Sequence, residues 1–140
     1  MIKSLFTIFV FLLMGNLFAN AEVVFYCTEE LSTGIVKKRG VWKESRFILH
    51  RHTIRFNDDY TELYGLDTTT WDCKQPYPGV RDTKSLRVCY PWRITGEVFS
   101  FDKKSLRFLF VSGFLTGWIL QDNYNDPDTN SMTAGTCKKF

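Results

Sequence analysis

The sequence VFSFDKKSLRFLFV, residues 98–111, has the pattern of a β-hairpin, because large apolar residues alternate with others on both sides of a polar loop. With Asp102–Ser105 as the loop, Phe101 lies opposite Leu106. Phe99 then lies opposite Phe108, and the alternation brings large apolar side chains to one face: Phe99, Phe101, Leu106, Phe108 and Phe110. We expect this face to form one wall of a hydrophobic core.

Short apolar runs separated by turn residues extend this pattern in both directions. We expect turns at Ser32–Gly34, Asn57–Asp59 and Gln75–Gly79. The strands predicted besides the hairpin are Val23–Cys27, Phe47–Phe56, Glu62–Leu66, Thr69–Cys73, Leu86–Tyr90, Trp118–Leu120 and Thr133–Cys137. About eight short strands spaced in this way predict an all-β fold, a small antiparallel sandwich or barrel.

The N-terminus has the three parts of a secretory signal peptide. Lys3 supplies a positive charge, Ser4–Met14 is almost wholly apolar, and Ala19-Asn20-Ala21 fits a signal peptidase site. The apolar run of about 11 residues is too short to cross a hydrocarbon layer as a helix, which argues against the alternative of a retained membrane anchor. We therefore expect residues 1–21 to be removed. Residues 22–140 then form one secreted or periplasmic domain without a transmembrane segment.

The charge of the predicted mature chain is nearly balanced. The signal holds one of the 18 basic residues and none of the 15 acidic ones, so 17 minus 15 leaves +2. This balance argues against nucleic acid as a partner. We expect no cofactor, since no phosphate-binding loop or metalloprotease motif is present.

All four cysteines lie in the predicted mature chain, and an even count in an exported protein indicates disulfides. Of the three possible pairings we favour Cys27–Cys137, which ties the first strand to the last, with Cys73–Cys89. The competing interpretation is a zinc site of four thiolates. No Cys-x-x-Cys pair supports it, so we expect no metal.

The two ends of the predicted mature chain carry a resemblance. Tyr26-Cys27-Thr28-Glu29-Glu30 near the start and Gly135-Thr136-Cys137-Lys138-Lys139-Phe140 at the end resemble a group of small exported proteins of marine bacteria. Members of that group begin after the signal with an aromatic-Cys pair and end in Gly-x-Cys-x-x-Phe. The resemblance implies an end-to-end disulfide and a bacterial source, and it assigns no functional residue.

Two features resemble metal or catalytic sites. His50 and His52 share one face of the predicted strand. Their rings could bind one metal ion, or one of them could act as a base. No third ligand stands near them on that face, so a half-buried pair between Ile48 and Ile54 is the better interpretation. The acidic loop at residues 122–130 lacks the glycine and glutamate of an EF-hand, and we interpret it as a solvated loop rather than a calcium site.

The segment Trp71–Trp92 is the most unusual stretch. Between Cys73 and Cys89 four basic residues against one acidic residue leave +3, on a loop that a disulfide would hold in place. Aromatic and arginine side chains dominate binding hot spots. The candidate binding surface is therefore Trp71, Tyr77, Arg81, Arg87, Tyr90 and Trp92, and the alternative is that the rings only fill one end of a barrel.

These observations favour a binding or interaction module of the bacterial envelope, with another envelope protein or a small ligand as partner. A small periplasmic enzyme with a histidine base in a barrel mouth is the second hypothesis. A purely structural envelope protein is the third. We name no catalytic residue, because the polar side chains that catalysis needs are few.

Overall fold

The computed structural model of the chain describes residues 22–92, 96–113 and 129–140. The predicted signal peptide, the predicted strand Trp118–Leu120 and most of the acidic loop lie outside these residues. Apart from one turn of 3₁₀ helix at Arg81–Thr83, the regular structure described is β-strand. The strands are β1 (Val23–Lys38), β2 (Val41–Arg46), β3 (Arg51–Phe56), β4 (Glu62–Tyr64), β5 (Trp71–Lys74), β6 (Leu86–Pro91), β7 (Val98–Asp102), β8 (Arg107–Ser112) and β9 (Thr129–Lys139).

Eight of the strands close into an antiparallel barrel. Neighbouring strands pair in the order β1, β3, β4, β5, β6, β7, β8 and β9, and β9 pairs back to β1. The ninth strand, β2, pairs with the second half of β1 and extends the sheet beyond the barrel. The predicted all-β antiparallel barrel is confirmed.

The core is aromatic. The residues inside the barrel include Phe25, Phe56, Phe99, Phe101 and Trp71, all but excluded from solvent. Phe101 stacks on Phe56, with ring centroids 5.3 Å apart, and meets Phe25 edge to face at 5.0 Å. These geometries are the ones that the ring quadrupole favours, so a small barrel is filled by few side chains.

Both predicted disulfides are confirmed, and both join residues that lie directly opposite each other on paired strands. Cys27 of β1 is bonded to Cys137 of β9, and Cys73 of β5 is bonded to Cys89 of β6. All four cysteines are buried in the barrel interior. The first bond closes the barrel where the first and last strands meet.

The predicted hairpin forms, with a different register. Phe101 lies opposite Phe108 and Phe99 opposite Phe110, so the loop is residues 103–106 rather than 102–105. The Asp102 carboxylate accepts hydrogen bonds from the amides of Lys104 and Ser105, so the turn begins after Asp102 and Asp102 itself remains in the strand. Because the slip is an even number of residues, the predicted apolar face still points inward.

The long first strand is the largest departure from the prediction. The turn predicted at Ser32–Gly34 was wrong, since these residues lie within β1 and pair with β9. A register shift between Glu29 and Leu31 bends the strand there instead. The strand predicted at Phe47–Phe56 begins only at Arg51, and the hairpin strand β2 was not predicted at all.

The topology gives the barrel two distinct ends. The lower end carries the start of β1 and the turns after β3, β5 and β7. The upper end carries the extension of β1 with β2 and the start of β3. In the described part of the chain, no helix has the length and apolar character needed to span a membrane.

Candidate functional site

The loop between β5 and β6, Gln75–Ser85, is held at the lower end of the barrel by several bonds, and we call it the stapled loop. The Cys73–Cys89 disulfide joins the strands at its base. The Val80 amide donates to the Tyr77 carbonyl oxygen at 3.1 Å, and the Thr83 amide donates to the Val80 carbonyl at 3.2 Å. The Thr83 hydroxyl also lies 3.2 Å and 3.0 Å from these two oxygens. The backbone of the loop is therefore fixed from within.

The stapled loop directs apolar and cationic side chains outward. Tyr77 has a φ of 62° and a side chain that is 72% exposed. An L-residue with a Cβ in the left-handed region costs about 1–2 kcal/mol, so the surrounding bonds hold Tyr77 in a disfavoured conformation. Val80 and Arg81 are exposed on the same loop.

The structure does not bring the whole predicted binding surface together. Trp71 is in the core, 1% exposed, and its indole nitrogen donates to Asp67 at 3.1 Å. Tyr90 is exposed on the outside of β6, and Trp92 is exposed directly after that strand. Lys74 pairs with Val88, so Trp92 lies about 13 Å beyond that pair, in the direction away from Tyr77. Tyr77 and Arg81 remain together.

Arg87, the remaining residue of the predicted surface, lies inside the lower end. It is opposite Phe101 in the β6–β7 register, and directly opposed residues share one face of the sheet. Its side chain therefore points into the barrel, half-buried. One guanidinium nitrogen donates to the carbonyl oxygens of Lys84 and Leu86, at 3.1 Å and 2.9 Å.

Lys103 and Tyr60 complete this end of the barrel. The Lys103 ammonium lies 4.7 Å from the centre of the Tyr60 ring, and that ring packs on Phe25 and Phe56. Burial lowers the pKa of Lys103, and the nearby charge of Arg87 lowers it further. Burial also raises the pKa of Tyr60. Arg87, Lys103 and Tyr60 together are called the lower mouth below.

Polar residues also line the upper end. His52 lies opposite Cys27 in the β1–β3 register and thus points inward, with 26% of its side chain exposed. Its Nε2 lies 2.7 Å from Oε1 of Glu29, whose side chain is buried. The His50 amide donates to the other oxygen of Glu29 at 2.8 Å. Because an ionised carboxylate only accepts hydrogen bonds, Nε2 of His52 is the donor in this contact.

The two predicted histidines differ in exposure. His52 is half-buried, whereas His50 and Ile48 are exposed, so the pair does not lie between Ile48 and Ile54 as expected. The described residues contain no group of three or more side chains that could hold a metal ion. The upper end can orient an imidazole with a carboxylate, as proton-transfer sites do.

A shallow depression lies on the outer surface of β1, β8 and β9. It is lined by apolar, hydroxyl and amide side chains and includes no titratable residue, with Ile35, Val111 and Met132 in its wall. It offers no group for chemistry, so the two ends of the barrel carry the candidate sites.

The chain was compared with protein families, with curated proteins and with solved structures. None of them matches it. The assignment of function therefore depends on the geometry of the barrel ends alone.

Sequence reasoning missed three residues of these sites. Glu29 continues the inward alternation of Phe25 and Cys27, and this signal was available had the first strand been extended past Cys27. Lys103 and Tyr60 stand in turns, where no alternation indicates direction. Only the closed barrel brings those two turns together.

Proposed function

We propose that the protein is an exported binding module and that the stapled loop is its contact surface. The observation that carries this proposal is Tyr77, an aromatic residue held exposed in a left-handed backbone conformation. Strain of this kind persists only where the surroundings impose it, and it concentrates at functional positions.

The composition of the loop supports the same function. Tyr77 and Val80 supply apolar contact area and Arg81 a cation, which is the chemistry of binding hot spots. The disulfide and the Thr83 hydrogen bonds order the loop before a partner arrives. Little conformational entropy is then lost on association, which favours affinity.

The proposed location is outside the cytoplasm, in the periplasm or the medium of a bacterium. The two disulfides are compatible with an oxidising compartment. The predicted signal peptide supports the same location. A partner in the envelope, protein or small ligand, follows from this location.

The test is capture from an envelope extract of the source bacterium with the immobilised domain, residues 22–140. We expect the double variant Tyr77→Ala/Arg81→Ala to lose a protein that the unmodified domain retains. The matched control is Tyr26→Ala/Arg51→Ala, which removes an exposed aromatic and an exposed arginine from the outer surface of β1 and β3. Circular dichroism of both variants checks that they fold. Equal capture by the two variants would show that the stapled loop is not the contact surface.

A second function, an enzyme with His52 as a general base, is favoured by the contact between His52 and Glu29. A carboxylate bonded to one imidazole nitrogen fixes the tautomer and the orientation of the ring. The test is hydrolysis of a p-nitrophenyl ester by the unmodified domain and by two variants, His52→Gln and His50→Gln. Activity lost only in His52→Gln supports the base, and activity that is absent or equal in all three rejects it for ester substrates.

A further inference from the structure

The lower mouth holds two cations at one end of the barrel. Arg87 reaches it from β6, opposite the buried ring of Phe101. Lys103 reaches it from the turn after β7, where its amide donates to the Ser85 carbonyl oxygen at 3.0 Å. The last residue of the stapled loop is thus bonded directly to the turn that carries Lys103.

Neither cation has an anionic partner among the described residues. The ion pairs between described residues join Glu29 to His52 and Glu22 to Arg55, and neither includes Arg87 or Lys103. Asp59 is near enough to feel the charge of Arg87 but forms no ion pair with it, and its Oδ1 accepts hydrogen bonds from the amide and the hydroxyl of Thr61 at 3.1 Å and 2.7 Å. Hydrogen bonds from Thr61 lower the pKa of Asp59 more than Arg87 does.

Tyr60 gives the lower mouth a rigid wall. It has a φ of 60°, and its ring centre lies 5.1 Å from that of Phe56 and 6.3 Å from that of Phe25. The Lys103 ammonium above the ring is partly desolvated, although no carboxylate compensates for the lost water. Arg87 stands opposite Phe101, two residues before Lys103, and its charge acts on Lys103, so two like charges share an end of the barrel where solvent screens them less than on an open surface.

We propose that the lower mouth binds a carboxylate group, which lies between the Arg87 guanidinium and the Lys103 ammonium. The guanidinium keeps donors that the Lys84 and Leu86 carbonyls do not use, and these suit the paired oxygens of a carboxylate. Since the stapled loop adjoins this site, the carboxylate belongs to an acidic segment of the partner; this second part rests on the proposed function.

The experiment is a nuclear magnetic resonance titration of the isotope-labelled domain at constant ionic strength. The probes are the peptide acetyl-Leu-Glu-Leu-Glu-amide, its uncharged counterpart acetyl-Leu-Gln-Leu-Gln-amide, and sodium acetate. We expect saturable shifts of the Lys103 and Arg87 side-chain signals with the acidic peptide and none with the glutamine peptide. We also expect the pKa of Lys103 to rise when the acidic peptide is bound, because a neighbouring anion favours the charged form. Acetate binding as tightly as the acidic peptide would assign the site to small free carboxylates instead of a peptide.

Two variants separate a specific site from general attraction. Lys103→Gln keeps the backbone bond to Ser85 and removes one inward charge. Lys104→Gln removes one charge from an exposed position of the same turn. We expect the first to weaken peptide binding about tenfold, the loss typical of a hydrogen bond to a charged group. The second should change binding less than about twofold, as an exposed charge does.

Equal losses in the two lysine variants, or shifts that never saturate, would overturn the carboxylate site. The outcome is independent of the capture experiment with Tyr77→Ala/Arg81→Ala. If that variant loses its partner while no carboxylate binds, the stapled loop is supported as the contact surface and the carboxylate site of the lower mouth is rejected. If the carboxylate binds while capture is unchanged, the carboxylate site is supported and the stapled loop is rejected as the contact surface.

Discussion

Glu29 and Arg87 place opposite charges inside the two ends of the barrel. Glu29 is bonded to His52 at the upper end, and Arg87 lies beside Lys103 at the lower end. The aromatic core separates the two side chains, so the carboxylate of Glu29 and the guanidinium of Arg87 cannot pair with each other. Each depends on partners at its own end of the barrel. Glu29 has its hydrogen-bond partners in the chain, whereas neither cation of the lower mouth forms an ion pair with a described residue. This difference favours the lower mouth over the upper end of the barrel as the site for an anionic ligand.

Asp102 gives a residue-scale prediction about acid stability. Hydrogen bonds from the Ser105 and Ser85 side chains, with the amides of Lys104 and Ser105, lower its pKa from 3.8 to about 2. A carboxyl whose pKa is lowered by folding stabilises the fold above its unfolded pKa, and this contribution is lost as the pH falls through the folded pKa. We expect Asp102→Asn to reduce the free energy of unfolding by about 1 kcal/mol at pH 7, after allowance for solvent screening.

Urea unfolding between pH 7 and pH 2 measures this effect. The gap between the variant and the unmodified domain should narrow between about pH 4 and pH 2, where the native carboxyl becomes protonated. Asp58→Asn, in an exposed position of the turn after β3, is the control and should show no comparable gap. A gap that stays constant down to pH 2 would show that Asp102 acts through its shape and not its charge.

The pairing of β1 with β9 is the element on which closure depends. It runs from Phe25 opposite Lys139 to Val36 opposite Thr129, interrupted only by the register shift near Glu29. Gly135 sits where β9 passes close to β1. A Cβ added there would lie 2.1 Å from the Thr28 carbonyl oxygen and 2.7 Å from the Phe108 ring.

We therefore expect Gly135→Ala to reduce the free energy of unfolding by about 3 kcal/mol, the upper range for an overpacked core position. Neither the Thr28 backbone nor the buried ring can move away without opening the strand pair. The measurement is urea unfolding, with Thr136→Ala as the neighbouring control that adds no atom. A loss of less than about 1 kcal/mol, typical of a mild substitution, would show that β1 and β9 can separate locally.

The edge strand β2 is protected against pairing with a second copy. Among the described strands it pairs only with β1. A two-fold symmetric antiparallel pair keeps each side chain on its own face, so residues of equal parity stand opposite each other. The two longest registers are centred on Lys43 and on Glu44, and each sets like charges directly opposite, which is destabilising.

Across the whole molecule, the two disulfides constrain the unfolded chain to very different extents. Cys27 and Cys137 are separated by 110 positions in the sequence, and Cys73 and Cys89 by 16. In the chain-entropy account, closing the longer loop contributes about 4.7 kcal/mol and the shorter about 3 kcal/mol. We expect Cys27→Ala/Cys137→Ala to be the less stable of the two double variants in urea unfolding.

The shorter bridge has a separate effect on binding. Cys73→Ala/Cys89→Ala should fold and yet weaken capture of the proposed partner, because the stapled loop loses the bond at its base. Cys27→Ala/Cys137→Ala, examined at a temperature where it is folded, should retain capture. A reversed order of stability would indicate residual structure in the unfolded chain, which the entropy account neglects.

The sequence by itself determined the strand class, the inward face of the β7–β8 hairpin and the pairing of the cysteines. Alternation along a strand is a local property, so Phe99, Phe101 and Phe108 reveal their common face without knowledge of their neighbours. The cysteine pairing could be predicted because Cys27 and Cys137 lie in the first and last strands and Cys73 and Cys89 flank one loop.

Only the tertiary structure decided which residues meet at the ends of the barrel. Glu29 and His52 are brought together by the β1–β3 pairing, and Lys103 lies near Tyr60 and Arg87 because two turns and the start of β6 converge. The length of β1 was likewise settled by non-local bonds to β9, whereas the register of the β7–β8 hairpin follows local bonds within the turn to the Asp102 carboxylate. Contacts between residues far apart in sequence depend on how the sheet closes, and alternation of apolar residues carries no information about closure.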